Sequence, residues 1–529
     1  MKNLHAADIL RTALVPVVAF SALFIVLWCT HYGGGIYPDS VYYTDAARSI
    51  STGHGYSCFQ CNFPNNNIDH PLIWYPPMYS MLLSMPHLFG VNLLEGARWL
   101  NAILFMLTAL AIGVGTYACT QKSLLAALAS VILFLFSAGM ISLYTSLLSE
   151  VPFNLFVLTA CMLLAWHIRR PNPWVLTASS LMLAFTLLTR WAGSTLILPM
   201  VLAILFLRKS GIGARLKECS FFLLLGVSPL FLWLLRNFLV ARSCTGRGHN
   251  VAVHLIDAPY FRDFAVTLSD FWLSIPSAGN FIKIPLLLVG VGLTLCALRP
   301  VIRHEARSSP DFKGILFFLM VIFFLCYIAL LIVSISFINA DIMFDIRFLS
   351  PLLVFSAIFV TAVFWNASAI TARRTIWRGY LFFALVITGL NVHRMLPLVT
   401  TLHNEGQGFE SPKWRGSACI AYVRSLPDNI SIYSYFPEAI YFLTGKRSRL
   451  VPIAVNVAKR RPNQNFMHEL DMLRSDVLHK GAIIIYVDAD LAGRPMVSLQ
   501  DLKDAYGFPV LVQLHDGAVF GVRNNVKTL

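Results

Sequence analysis

Apolar runs of about 18 or more residues recur along the chain, separated by short polar turns. The first extends from about Thr12 to Thr30. Others are centred near residues 108, 130, 160, 182, 199, 229, 290, 325, 358 and 387, which predicts about eleven membrane-crossing helices. From about residue 399 the pattern changes. The last roughly 130 residues are more polar and carry strand-like runs, "GAIIIYVDAD" (Gly481–Asp490) and "FPVLVQL" (Phe508–Leu514), with helical stretches between. That length suffices for a small α/β domain with its own core. The expected organisation is a transmembrane domain over 1–398, with a first outer loop over 31–97, and an extracytoplasmic α/β domain over 399–529.

Composition agrees with this pattern. Of 529 residues, 57% are hydrophobic and only 13% charged, whereas a soluble domain carries about a quarter charged residues. The net charge of +15 would suggest nucleic acid in a soluble protein. Here the cations sit in alternate short loops: Arg169 and Arg170; Arg208, Lys209, Arg215 and Lys217; Arg299, Arg303, Arg307 and Lys313; Arg373, Arg374 and Arg378. That is the cytoplasmic-loop pattern, so the N-terminus is expected inside and the tail outside. No basic patch interleaved with aromatics points to nucleic acid. Bulky Trp28 precedes Cys29, which argues against a cleavage site, and the first run reads as an uncleaved helix.

The first outer loop is unusual. "GGGIYPDSVYYTDAARSISTGHGYS" (Gly33–Ser57) puts Asp39 at the head of a short helix on which Val41, Tyr42 and Ile50 could line one face. "DHPLIWYPPMYSMLLSMPHLFG" (Asp69–Gly90) starts a second helix at a double proline. Both read as amphipathic interfacial helices, with Trp74, Tyr75 and Tyr79 at headgroup depth. Between them, "CFQC" (Cys58–Cys61) could form a local disulfide or carry free thiols, offer half a metal site with His54 or His70, or act as a redox pair, for which no thioredoxin-like context surrounds it.

Charges at a bilayer edge are costly unless they have a partner or a task. Several fall at one expected depth on the outer side. They are Asp39 and Asp45, Glu150 in "LLSEVPFNLF", Arg190 in "LLTRWAGSTL", and Asp341, Asp345 and Arg347 in "NADIMFDIRFLSPLL". Arg190 and Arg347 could hold a phosphate, whose geometry guanidinium matches. Asp39 or Glu150 could accept a proton or hold a divalent metal. Simpler readings stand beside these. Asp39 could be a helix N-cap, Glu150 half of an ion pair, Arg190 a side chain snorkelling to headgroups, and Asp45 a helix-face residue.

The chain resembles the GT-C superfamily of polyprenyl-phosphate-sugar-dependent glycosyltransferases, in the bacterial branch related to protein O-mannosyltransferases (glycosyltransferase family 39) and the lipid A aminoarabinose transferase. "YPDSVYYTDAARSISTGHGYS", "WYPPMYSMLL", "LLSEVPFNLF", "LTRWAG" and "RFLSPLL" carry the resemblance, in order and on the expected topological side. "IYSYFPEAIYFLTGKRSRLVP" (Ile432–Pro452) is similar to outer domains appended to many bacterial members.

The resemblance implies a multi-pass protein of a bacterial cell membrane that transfers a sugar from a polyprenyl-phosphate donor. The acceptor would be a lipid, glycan or protein hydroxyl on the outer face, with inversion. It implies Asp39 as base, Glu150 as second acid assisting the acceptor or a metal, Arg190 as phosphate holder and Arg347 as a second phosphate contact. Asp45, His70 and Tyr75 are accessory candidates. The chain departs from some members in having Ser40 after Asp39, where an acid pair occurs, and Tyr75 where a lysine precedes the double proline. The rival readings are a transporter or flippase of lipid-linked glycans, for which no internal repeat is seen, and a non-catalytic subunit of an envelope assembly system.

Overall fold

The computed structural model describes residues 6–59, 70–246, 258–273, 280–305, 311–337, 344–456, 461–488 and 507–522. Cys61, Arg307 and Asp341 lie outside the described residues. The helices are α1 (Ala6–Cys29), α2 (Pro38–Ser51), α3 (Met78–Leu88), α4 (Leu93–Cys119), α5 (Leu124–Leu135), α6 (Ala138–Tyr144), α7 (Glu150–Arg169), α8 (Pro173–Thr189), α9 (Ile197–Leu207) and α10 (Ile212–Ala241). They continue as α11 (Ala258–Trp272), α12 (Asn280–Glu305), α13 (Phe312–Phe337), α14 (Ile346–Thr371), α15 (Arg374–Glu405), α16 (Pro412–Arg415), α17 (Ala418–Ser425), α18 (Pro437–Thr444) and α19 (Phe466–Lys480).

Among the described residues, seven helices are long and apolar enough to cross a membrane: α4, α7, α10, α12, α13, α14 and α15. The pair α5–α6, bent by 67°, would count as an eighth, and Ala13–Cys29, Pro173–Thr189 and Trp191–Leu207 are shorter apolar helices. This is a polytopic helical protein, as the apolar pattern predicts. Helix α11 was not foreseen by that pattern, because it is amphipathic rather than continuously apolar.

The chain divides into two compact units. One unit comprises residues 1–29, 73–82 and 98–401, and the other residues 30–72, 83–97 and 402–529. The first outer loop thus groups mostly with the tail.

In the first unit, apolar packing supplies no drive beyond what lipid offers, so small residues and buried hydrogen bonds hold helices together. Ser179 Oγ donates to Ala160 O at 3.0 Å, joining α8 to α7. Asn366 Nδ2 on α14 donates to Cys119 O at the end of α4 at 2.9 Å. Asn101 is a hub. It accepts from Tyr79 Oη at 3.1 Å and donates to the carbonyls of Tyr144 and Ser146 at 3.2 and 2.7 Å. Tyr79 is fully buried, and its hydroxyl is held by this protein partner.

The second unit contains a five-stranded sheet of β3 (Ile432–Ser434), β4 (Ser448–Leu450), β7 (Ile483–Val487), β8 (Val510–Leu514) and β9 (Gly517–Phe520) in the order β4-β3-β7-β9-β8. Strands β4, β3 and β7 are parallel, and β9 runs antiparallel to β7 and β8. Two further pairs are antiparallel, β1 (Ser57–Cys58) with β2 (His70–Pro71) and β5 (Val455–Asn456) with β6 (Arg461–Pro462). Strand β7 is buried throughout, which is why its sequence reads as a continuous apolar run. Asp516, in the β8–β9 turn, accepts the backbone N–H groups of Ala418 and Cys419 at 3.0 and 3.2 Å and so caps α17.

Candidate active site

Glu150, Arg190 and Arg347 are brought together although up to 197 residues separate them. Each sits at a helix end, where the chain can change direction and backbone groups are left over. Glu150 opens α7, where the helix dipole favours an anion. Arg190 ends α8 in extended conformation before the 3-10 turn Trp191–Leu196, where the dipole favours a cation. Gly193 allows that turn to be tight, since a Cβ there would lie 2.7 Å from Thr186 O. Arg347 lies in the first turn of α14, where the dipole opposes it. Two carboxylates answer that cost, Glu150 by an ion pair and Asp345 as N-cap.

The geometry centres on one oxygen. Glu150 Oε1 lies 2.7 Å from Arg190 Nη1 and 3.0 Å from Arg347 Nε. Glu150 is 1% exposed, Arg190 14% and Arg347 32%, so the anion is sealed while both cations reach outward. Arg190 Nη1 also donates to Ser149 Oγ at 3.0 Å, and its guanidinium lies 5.5 Å from the Phe348 ring centroid. Together the three side chains carry a net charge of about +1 at neutral pH. Glu150 Oε1 is already bonded by two guanidiniums. Among the described residues no group of three or more His, Cys, Asp or Glu side chains converges to hold a metal.

The segment bearing Arg347 is braced on several sides. Asp345 Oδ1 accepts the backbone N–H groups of Arg347 and Phe348 at 3.0 and 3.2 Å. Thr267 Oγ1 on α11 donates to Phe344 O at 2.6 Å, and the rings of Tyr260 and Phe264 meet Phe344 edge-on. Tyr327 Oη on α13 donates to Phe348 O at 2.9 Å. Burial pushes the Asp345 carboxyl above its usual range and Glu150 adds to this, while its backbone hydrogen bonds and Arg347 pull the other way.

Tyr75 belongs to the same unit and is half-buried just before the double proline. Its segment is held next to the Arg190 turn. Trp191 Nε1 donates to Trp74 O at 3.0 Å, and fully buried Asn237 donates to Ile73 O at 3.3 Å and Cys244 O at 3.0 Å.

Asp39, Asp45 and His70 belong to the second unit. Asp39 is half-buried in the first turn of α2 but is not its N-cap. Tyr37 takes that position, and its backbone N–H donates to Ser40 Oγ at 3.0 Å. Asp45 is buried, accepting from Phe59 N at 2.8 Å and Tyr441 Oη at 2.9 Å. His70 pairs in register with Cys58 across β1–β2, and Cys58 is a buried thiol.

Sequence reasoning missed Tyr327, Trp191 and Asn237. Tyr327 lies in an unbroken apolar run, where a tyrosine carries no signal of its role. Asn237, a lone amide in an apolar helix, was a readable clue.

No protein-family profile and no curated protein sequence matches the chain. Solved structures do. The crystal structure of ArnT from Cupriavidus metallidurans bound to undecaprenyl phosphate is similar at a TM-score of 0.52 and 15% identity, covering 98% of each chain. The apo state of that protein gives 0.53 at 14% identity over the same shares. An Archaeoglobus fulgidus oligosaccharyltransferase tethered with an acceptor peptide gives 0.52 at 11% identity, covering 90% of this chain and 69% of that one. The chain has the GT-C fold.

Proposed function

We propose that this protein is an integral membrane glycosyltransferase that moves a sugar from a polyprenyl-phosphate donor to an acceptor hydroxyl on the outer membrane face. The observation that carries this is the cluster of Arg190 and Arg347 on the sealed carboxylate of Glu150, in a chain with the GT-C fold. The likeness to ArnT bound to undecaprenyl phosphate supports the donor class. The likeness to an oligosaccharyltransferase tethered with an acceptor peptide leaves a protein acceptor beside lipid and glycan.

In this reading the acceptor O–H oxygen attacks the anomeric carbon from the face opposite the phosphate. The new C–O bond forms as the C1–O(phosphate) bond breaks, and its electron pair passes to the phosphate. The acceptor proton goes to the Asp39 carboxylate, and the anomeric centre inverts. The leaving phosphate gains a negative charge, which Arg190 and Arg347 stabilise. Such preorganised donors are worth about 10²–10³-fold each. Glu150 is the second acid. Already bonded by two guanidiniums, it is a poor base, and its contribution is to hold both arginines in place. Tyr75 and His70 are accessory candidates for donor and acceptor contacts, and no step is routed through a metal.

The test is a transfer assay on the purified full chain with a panel of polyprenyl-phosphate sugars, comparing wild type with Asp39→Asn and Arg190→Ala. Transfer abolished by Asp39→Asn and reduced about 10²–10³-fold by Arg190→Ala is the expected result. Undiminished transfer in Asp39→Asn removes the base assignment. Absence of transfer from every donor favours a flippase or a non-catalytic subunit.

A further inference from the structure

Helix α2 carries Asp39 and is gripped at two points by the tail sequence of its own compact unit. Before the helix, Ile36 forms a parallel bridge with Gly408, and Phe409 N donates to Ile36 O at 2.9 Å. Gly408 has φ +62°, and a Cβ there would lie 2.1 Å from Ile36 O, so only glycine permits the approach. Close by, a Cβ on Gly35 would lie 2.7 Å from the Gln407 side chain. Within the helix, Asp45 Oδ1 accepts from Tyr441 Oη on α18 at 2.9 Å, and Asp45 Oδ2 accepts from Phe59 N at 2.8 Å. The rings agree with this arrangement. Phe59 stacks on Tyr441 with centroids 3.7 Å apart and on Tyr42 at 5.1 Å.

These grips bracket Asp39, three residues after Ile36 and six before Asp45. A single anchor would fix the position of α2 but leave it free to roll. Two anchors, one on the entering backbone and one on a side chain, fix the roll as well. At about 100° per residue, Asp45 and Asp39 lie about 120° apart around the helix. The clamp therefore does not occupy the face on which Asp39 stands.

We infer that Asp45 and Tyr441 are positioning residues, and that one role of the C-terminal α/β domain is to set the rotation of α2 and hence the aim of Asp39. The inference rests on Asp39 being the base. A carboxylate about 5–6 Å from a helix axis moves about 2 Å when the helix rolls about 20°, and a misplacement of about 1 Å can cost about 10²-fold in rate.

The test uses the full chain in lipid nanodiscs with Tyr441→Phe, Asp45→Ala and the double variant. Tyr441→Phe keeps the ring stacked on Phe59 and removes only the hydroxyl. Arg449→Met, which breaks the tail ion pair with Asp476, is the control for general loosening of the domain. Four quantities are read. They are amide hydrogen exchange across residues 38–51, affinity for undecaprenyl phosphate, and kcat and KM with whichever polyprenyl-phosphate sugar supports wild-type transfer.

Faster exchange in α2, kcat down about 10–100-fold, and undecaprenyl phosphate affinity within about twofold of wild type are expected for Tyr441→Phe and Asp45→Ala. The double variant should be no worse than the poorer single one, and Arg449→Met should leave α2 exchange unchanged. Unchanged α2 exchange, or a loss expressed only in lipid affinity, overturns the inference. If Asp39→Asn alone proves active, the base assignment falls, while α2 exchange still decides whether the clamp exists.

Discussion

Arg190 Nη1 lies 2.7 Å from Glu150 Oε1, and the carboxylate is almost fully sealed while the guanidinium is not. An anion buried against a partly open cation is arranged to present positive charge outward. Breaking a buried pair by removing one member costs about 3–5 kcal/mol, because the other charge is left stranded. Glu150→Gln should therefore lower the thermal midpoint of the protein clearly. Arg190→Lys should restore little transfer relative to Arg190→Ala, since an ammonium is a point charge and lacks the planar fork that matches a phosphate. A stability curve for the first and a donor titration for the second check these expectations.

The Arg190 turn depends on Gly193. A Cβ there meets Thr186 O at 2.7 Å, and backbone cannot swing aside as a side chain can. Gly193→Ala should cost about 1–3 kcal/mol of overpacking and displace Arg190. Undecaprenyl phosphate binding should weaken in step with the loss of stability. Normal binding at reduced stability would show that the turn and the guanidinium are not coupled.

Trp191 Nε1 donates to Trp74 O at 3.0 Å. Trp191→Phe keeps most of the apolar contact and strands that carbonyl, at about 1–3 kcal/mol. Proteolytic susceptibility around residues 70–78 should rise, with little change elsewhere. A uniform rise along the chain would contradict a local role.

Acid should loosen the tail before it affects the helices. Burial works against the charge on Asp476, but hydrogen bonds from Lys480 and Tyr433 and the charges of Arg449 and Lys480 outweigh it and hold its carboxyl below the usual range. Asp516 is likewise lowered. Burial opposes its charge, and bonds from Ser417 and Cys419 overcome that. A carboxylate whose folded pKa lies below its unfolded value of about 4 adds stability above that value and loses it as pH falls through the folded one. The protection of α17 and α19 amides against exchange, relative to the unfolded chain at the same pH, should therefore fall below about pH 4. Asp516→Asn should flatten the response of α17 alone.

Much of this protein is legible in its apolar rhythm. Each predicted apolar run returns as a helix, although among the described residues seven, or eight with the bent α5–α6 pair, have the length and apolarity to cross a membrane, against about eleven expected, and the break between the runs near 182 and 199 returns as the Arg190 turn. Strand β7 was equally visible, because a strand buried on both faces reads as a continuous apolar run. Glu150, Arg190 and Arg347 could be singled out because a charge flanked by apolar residues needs a partner. That these three are one another's partners was not visible, since up to 197 residues separate them.

Asp39 and Asp45 show where local reading stops. Both are acids on one short helix, and local rules offered Asp39 as its cap. The cap is instead Tyr37, reciprocated by Ser40, which leaves Asp39 outside the capping role. Asp45, which looked like a helix-face residue, is buried on a tyrosine 396 positions later. The sequence by itself determined the apolar helical runs, the polar tail and the charges that need an explanation, because these follow from period, length and local solvation cost. Only the tertiary structure decided which charges meet and that most of the first loop forms one compact unit with the tail. Those outcomes depend on hydrogen bonds and close approaches between distant segments, which no local pattern encodes.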